Sequence, residues 1–394
     1  MFNVKAISRL VRPAPALPKP GRRVKHVSNT AELFAAAEAA KPGTTILLAD
    51  GTYRVRGLTI AADGIALRGA SGDRARVVLD GGGAFDKMVI LRGAKDFLLA
   101  DLTMRNCRQY GLLFYGDSDV QRLRVWNCVF RNIWTRAVKG THPRRILDSP
   151  HDLNTLSTMR RIRPTGGEIR HCLFVNDRVK PYDDPFNGDY VSGLDAMWLK
   201  DWTIADNAFV GIRGQNGHAR GAVFVWVHSE AVTTERNVFV GCDRAVAYCN
   251  PTGERPHMTG GIVRNNLIVG GAHRAIEMES TRDTLVAHNS VWATQTVFPT
   301  VTFDHGCNGS RLANNLIHGG LYAFGALRKS GNVIGDLTGW FADPLACDFR
   351  LTDAAGAAIG RGRRLPKVRE DFAGRPRPAR ADLGAYQTDP SDSQ

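Results

Sequence analysis

No run of 18 or more apolar residues occurs in this 394-residue chain, so the sequence offers no transmembrane helix. No Cys-x-x-Cys is present, and none of the seven cysteines (107, 128, 172, 242, 249, 307 and 347) stands with histidines at zinc spacing. An odd count in a chain this long gives no argument for an oxidising compartment. There is no phosphate loop and no Gly-x-Ser-x-Gly elbow, and Gly211, Gly214, Gly217 and Gly221 follow no βαβ unit. Nucleotide-loop, dinucleotide and serine-hydrolase chemistry therefore lack their signatures. The opening MFNVKAISRLVRPAPALPKPGRR is basic without a continuous apolar core, and does not read as a secretory leader. The protein is extracellular or periplasmic if a leader was removed, otherwise cytoplasmic. Compartment and oligomeric state stay open at this level.

Positive charge is in surplus. Lys and Arg number 52 against 38 Asp and Glu, a net charge of +14. Such a surface suits polyanions: nucleic acid, anionic lipid or an acidic polysaccharide. Nucleic acid ranks low, because much of the charge is terminal and no recognition motif is present. Residues 1–26 are Pro- and Arg-rich and are expected to form a disordered basic arm; 388–394 read as a polar tail.

The body of the chain is repetitive. Gly221 to Asn289 writes one unit three times: a small residue opens a β-rich run, a polar turn follows, then a second apolar run, then an Asn beginning a short apolar triplet. Periods in the twenties mean stacked units that bury their apolar faces on one another. Aligning the chain on that residue gives Asn106, Asn127, His171, Asn207, Asn237, Asn266, Asn289, Asn315 and Asn332. Asn tolerates the left-handed bend of a tight turn, and stacked amides hydrogen-bond along the axis. These residues are scaffold. Cys107, Cys128 and Cys172 follow at one point of the repeat and read as small stacked core residues.

Asn29 or Thr30 caps a short helix with an apolar stripe at Leu33, Phe34, Ala37 and Ala40, ended by Pro42-Gly43. Such a helix closes the open end of a stack. Two segments lack the repeat: 140–167, which is basic, and 176–192, which is polar and aromatic. Both are expected to leave the stack near the same edge of adjacent coils, as functional loops do. After about 337 the repeat fades into a C-terminal wrap lying back along the outside.

Repeated short strands, the Asn series and VSNTAELFAAAEAAKPGTTILLADGTY resemble the right-handed parallel β-helix of the pectin-lyase-like superfamily. The opening is similar to the chondroitinase B and alginate lyase family. The closing DFRLTDAAGAAIGRG…DFAGRPRP…ADLGAYQ resembles the tail of bacterial β-helix proteins that act on polysaccharides. The resemblance implies an all-β fold, a single right-handed parallel β-helix over 27–387. The catalytic coil of that lyase family has no counterpart here, so its Lys/Arg assignments do not carry over.

Side chains alternate in and out along each strand. Taking GLLFYG, AVKGTH, GLDAMW, GAVFVWVH, AVAYCN, AIEMES and TVTFDH as equivalent, second and fourth places point inward, including Ala222 and Phe224. Third and fifth places point out, which sets Lys139, Asp195, Val223, Val225, Glu277, Glu279 and Asp304 on one face. Arg136, Arg220, Arg244 and Arg274 precede the strand on four coils. Guanidiniums beside carboxylates suit a chain of acidic sugars, since Arg forks onto carboxylates; a structural salt-bridge ladder with Asp243 and the Glu pair is the competing reading. Arg213, His218, Trp226 and His228 lie close in sequence, His as acid or base and Trp as a stacking plane; turn-forming residues and a half-buried Trp are the alternative. His142, His151 and His257 read as surface residues. Asp183, Asp184, Asp189 and Asp195 offer oxygens for Ca²⁺ without matching an EF-hand loop; a solvated Asp-rich turn competes.

The sequence reading is a carbohydrate-active protein, foremost a lyase cleaving an acidic, uronate-containing polysaccharide by β-elimination. Lys139 or His228 is the expected base, His218 the acid. Arg220 and Arg244 are the expected carboxylate clamps, with Arg136, Arg213, Trp226, Arg274 and Glu277 also on substrate. A glycoside hydrolase using Asp195 with Glu277 or Glu279, and a non-catalytic binding protein, are the rivals. Asp195 and Glu277, three strands apart, would be roughly 14 Å distant, too far for a carboxylate pair.

Overall fold

The computed structural model describes residues 3–143, 153–252, 255–295 and 297–388. Among these, short strands form three parallel sheets of 12, 11 and 10 strands, each strand paired to its equivalents in the coils before and after. The chain is a right-handed parallel β-helix. The core is one column of buried residues running the length of the stack. Phe130, Phe174, Phe209 and Phe239 stack ring on ring within it, with centroids 4.8, 4.5 and 5.0 Å apart.

Helix α1 is Val4–Ser8 and helix α2 is Thr30–Glu38. Asn29 caps α2: its side chain accepts from the Glu32 amide at 3.0 Å, while Glu32 accepts from the Ser28 amide at 2.8 Å. The reciprocal bonds satisfy two otherwise orphaned donors. Leu33 is buried, and Phe34 and Ala37 pack on the core of the first coil.

The asparagine ladder is continuous from Asn207 through Asn237, Asn266, Asn289 and Asn315 to Asn332. Each Nδ2 donates to the next Oδ1 at 2.9–3.1 Å. Toward the N-terminus the same column carries Cys172, whose amide donates to Asn207 Oδ1 at 2.9 Å, and Cys128, whose amide meets Cys172 Sγ at 3.4 Å. Asn106, Asn127 and His171 are therefore not rungs. Asn127 and His171 sit one residue earlier, with Asp206, Arg236, Asn265, His288 and Asn314, all at positive φ. That position bends the chain and favours Asn, Asp and His for their left-handed backbone, which makes it easy to mistake for the ladder. Cys107 pairs in register with Ile133 and lies outside the Cys128–Cys172 stack. All seven cysteines are buried and free.

The described part of the basic arm, residues 3–26, is not disordered. From residue 3 the segment lies along the stack: the carbonyls of Arg12, Pro15 and Pro18 bond His171, Trp126 and Arg68. Ile7 and Val11 join the C-terminal wrap over the outer face of the 11-stranded sheet, against Val210, Val240 and Phe372. Docking removes apolar surface that a free arm would leave in water. The polar tail, beyond Thr388, falls outside the described residues, as do His151 and the rest of 144–152.

The two insertions leave from opposite edges of the 10-stranded sheet. Residues 141–167 follow its strand Arg136–Gly140 and include helix α3, Leu153–Ile162. Residues 176–192 precede its strand Ser192–Met197. The expectation of one shared edge fails because a coil enters and leaves this sheet on different sides. Of the first, Met159 packs on Trp198; the second lays Tyr190 on Arg136.

Candidate functional site

Register fixes what that face carries. Leu113, Lys139, Asp195, Phe224, Ala247, Glu277 and Thr302 form one column. Phe224 therefore points outward, and Val223 and Val225 join the interior. The sequence alignment was one residue out in the strand Gly221–Trp226, and a one-residue slip exchanges the two faces. The extra residue is Gly221, which takes φ +147, open to glycine alone, in the column of Arg136 and Ser192. Outward Phe224 stacks on Trp226, centroids 5.4 Å apart.

Asp195 is the centre of a buried cluster. Its Oδ2 accepts from Arg136 Nε and meets Lys139 Nζ at 2.9 Å; its Oδ1 accepts from Trp226 Nε1 at 3.1 Å. The Arg136 guanidinium lies 3.5 Å from the Tyr190 ring centroid, under the 176–192 loop. Arg136 is 0 % exposed and Asp195 1 %. Burial pushes the Asp195 carboxyl upward, but Lys139 and Arg136 outweigh it and hold it below the usual range. Lys139 is thus a buried counter-ion, and not a base open to substrate.

The two histidines expected to share catalysis do not meet. His228 follows the strand Gly221–Trp226 and lies edge-on to Trp198, on the side of Arg163. His218 precedes that strand and is exposed. Its ring stands 4.9 Å from His273 and 6.0 Å from Phe298. Burial, then Arg244 and Arg274, drive the His273 pKa down to about 2, so that imidazole is neutral.

Arg244 and Arg274 share one carboxylate. Glu277 Oε2 lies 2.5 Å from Arg244 Nε, too bent for a hydrogen bond, and its Oε1 accepts from Arg274 at 3.1 Å. Arg244 also donates to the His218 and Ala219 carbonyls at 3.2 and 2.7 Å. Arg220 stands one residue before the Arg136–Arg244–Arg274 column, over the Phe186 ring at 4.7 Å. Burial, then Arg136 and Arg244, lower its pKa. The salt-bridge ladder is real for Arg136, Arg244 and Arg274 but bypasses Asp243, whose Oδ2 accepts the Gly214 and Ala219 amides at 2.8 and 3.1 Å. Arg213 lies beside Asp243. Two cations per carboxylate, at Asp195 and at Glu277, leave one positive charge each, and Arg220 adds a third.

The four acids offered for Ca²⁺ do not fit it. Asp184 pairs with Lys180 and accepts the Phe186 and Tyr190 amides at 2.7 and 3.1 Å. Asp189 accepts from the Asn216 and His218 amides at 3.0 and 3.4 Å. Asp195 is committed as described, and Asp183 is exposed. Among the described residues no three His, Cys, Asp or Glu gather where they could hold a metal ion.

Beside Arg220 the loop closes a cavity of ≈ 460 Å³, lined in part by Phe85, Arg108, Tyr110, Lys180, Tyr182, Phe186 and Tyr190. Along this edge guanidiniums and aromatic rings pair repeatedly: Arg108 over Tyr182 at 4.4 Å, Arg136 over Tyr190, Arg220 over Phe186 and Arg274 over Phe298 at 5.3 Å. Sequence reasoning missed the aromatic partners and His273. The available signal was position, since His273 and Phe298 stand just before their strands, as His218 does.

No family model and no curated protein matches the chain. Solved structures do. A surface adhesin of Streptococcus pneumoniae is 12% identical with TM-score 0.50, over 78% of this chain and 87% of that one. An alginate lyase from Paenibacillus sp. is 12% identical with TM-score 0.42, over 80% and 100%. The tailspike of E. coli bacteriophage HK620, in complex with a pentasaccharide, is 13% identical with TM-score 0.46, over 80% and 59%. At such identities the likeness is one of fold.

Proposed function

We propose that this right-handed parallel β-helix is a carbohydrate-active protein that binds an acidic polysaccharide along the Arg–aromatic edge and cleaves it by β-elimination. The observation that carries this is the meeting of Arg220, Arg244 and exposed His218 at one rim. Elimination needs the uronate carboxylate neutralised, so that the C5 proton becomes acidic. Arg220, which pairs with no carboxylate among the described residues, and Arg244 supply that charge. His218 takes the C5 proton; the C4–O bond breaks as the C4–C5 double bond forms, and the proton passes to the leaving oxygen. His273, held neutral, and Phe298 support the His218 ring. The test is ultraviolet absorbance of the unsaturated product on a panel of uronate polymers. No absorbance with any of them sinks the lyase reading.

One observation favours a hydrolase instead. Glu279 and Asp304 are register partners on adjacent coils, whose backbones stack about 4.8 Å apart, a spacing compatible with the roughly 5–5.5 Å between the carboxyl groups of retaining glycosidases. Burial raises the Glu279 pKa, as a general acid requires. This reading predicts new reducing ends without ultraviolet absorbance, abolished in Glu279→Gln.

A further inference from the structure

The cavity beside Arg220 is not used by the elimination step. Its walls come from three successive coils, through Phe85, Arg108 to Tyr110 and Thr135, closed by the 176–192 loop. The loop is pinned at several points. Asn132 and Asp177 exchange two hydrogen bonds at 3.0 Å, Tyr182 donates to the Arg108 carbonyl at 2.6 Å, and Asn216 donates to the Asn187 carbonyl at 2.7 Å. A cavity held this way is preformed, and ≈ 460 Å³ lies within the roughly 300–1,000 Å³ of small-molecule sites.

Two large apolar side chains stand exposed at its mouth, Phe85 at 66% and Phe186 at 45%. Such rings on a soluble surface mark a contact site when they flank a cavity. Phe186 is stacked on Tyr190 at 4.9 Å and carries Arg220 at 4.7 Å, so it borders both the cavity and the rim. Arg108 is held over the Tyr182 face at 4.4 Å and, among the described residues, pairs with no carboxylate, unlike Lys180, which is committed to Asp184. A guanidinium laid on an aromatic face without an acid partner presents its fork to a planar anion.

We propose that this cavity is a binding subsite for an acidic sugar unit of the same chain. Phe85 and Phe186 stack on its ring, and Arg108 holds its carboxylate. Rim and cavity then bind consecutive stretches of one polymer, and the cavity sets which sugar the protein accepts and where along the chain it acts. The proposal rests on the saccharide reading of the rim, but not on the elimination step.

The experiment uses the full chain and uronate tetrasaccharides, with a neutral glucan tetrasaccharide as control. Binding is measured by calorimetry and turnover by ultraviolet absorbance. Loss of one charge-assisted contact is worth roughly ten- to hundred-fold in affinity, so Arg108→Gln should weaken tetrasaccharide binding about that much; Phe85→Ala, which removes the stacking ring, should also weaken it, and both should raise KM more than they lower kcat. Phe85→Trp should restore binding, which separates stacking from damage to the fold. Wild-type binding lost in Phe85→Ala, with no absorbance from any polymer, upholds the subsite and overturns the elimination reading. Absorbance from polymer with unaltered tetrasaccharide binding in both variants overturns the subsite alone. No uronate binding by the wild type, or equal binding of the neutral control, overturns it as well.

Discussion

The Asp195 carboxylate lies one coil beyond the Arg136 guanidinium and bonds its Nε, both groups shut away from water, Arg136 against the Tyr190 ring. A buried pair of this kind is not strong evidence of net stabilisation, but breaking it leaves charge without compensation.

Asp195→Asn is therefore expected to destabilise by about 3–5 kcal/mol, since Arg136 and Lys139 would both lose their counter-ion. Guanidinium denaturation at pH 7 measures this. The folded pKa of Asp195 lies below its unfolded value of about 3.9. Its contribution is complete above that value and is lost as pH falls through the folded pKa. The gap between wild type and variant should stay constant from neutral pH to about 5 and shrink only in stronger acid. A gap that closes nearer neutrality contradicts the assignment.

His273 gives a test of the same sign in a higher pH window. Its folded pKa of about 2 lies below its unfolded value, near 6.5. Below about pH 6.5 the unfolded state binds a proton that the folded state refuses, so stability falls as the medium is acidified. Denaturation midpoints at pH 7 and pH 5 should differ more in the wild type than in His273→Gln. Equal differences would mean that His273 is protonated in the fold.

Arg220→Ala should lower kcat/KM on the responsive polymer by roughly ten- to hundred-fold with an unchanged melting temperature, and Arg220→Lys should recover part of it. His218→Ala should abolish turnover while binding persists. His228→Ala, at the other end of the strand, should cleave within about two-fold of wild type. Strong loss in His228→Ala would move the reaction to the α3 side of the sheet.

Within the ladder, Asn266 Oδ1 accepts from Asn237 and its Nδ2 donates to Thr234 and Asn289. Asn266→Ala should cost about 2–4 kcal/mol, because each buried group left unpaired costs about 1–3. Asn332→Ala, at the half-exposed last rung, should cost less than half as much. Paired urea titrations give the ratio, and equal losses would deny the ladder its buried character.

The sequence by itself determined the β-helix, its capping helix, the C-terminal wrap and six rungs of the ladder. These follow from local rules: apolar alternation and an Asn recurring from coil to coil, and a single cap at Asn29 before the helix. Arg220 and Arg244 could be singled out because each precedes the equivalent strand of its coil, and His218 because it lies close to Arg220 in sequence. Tertiary structure alone decided which side chains face out. In a strand that depends on register to a single residue, and Gly221, through a backbone only glycine adopts, shifted Phe224 outward and Val223 inward. It also decided that Lys139 is sealed. A charge on an outer face stays accessible only if nothing closes over it, and Lys139 is buried against Asp195 beside Arg136, which the 176–192 loop covers with Tyr190. No pattern within one strand carries information about a loop that arrives from the next coil.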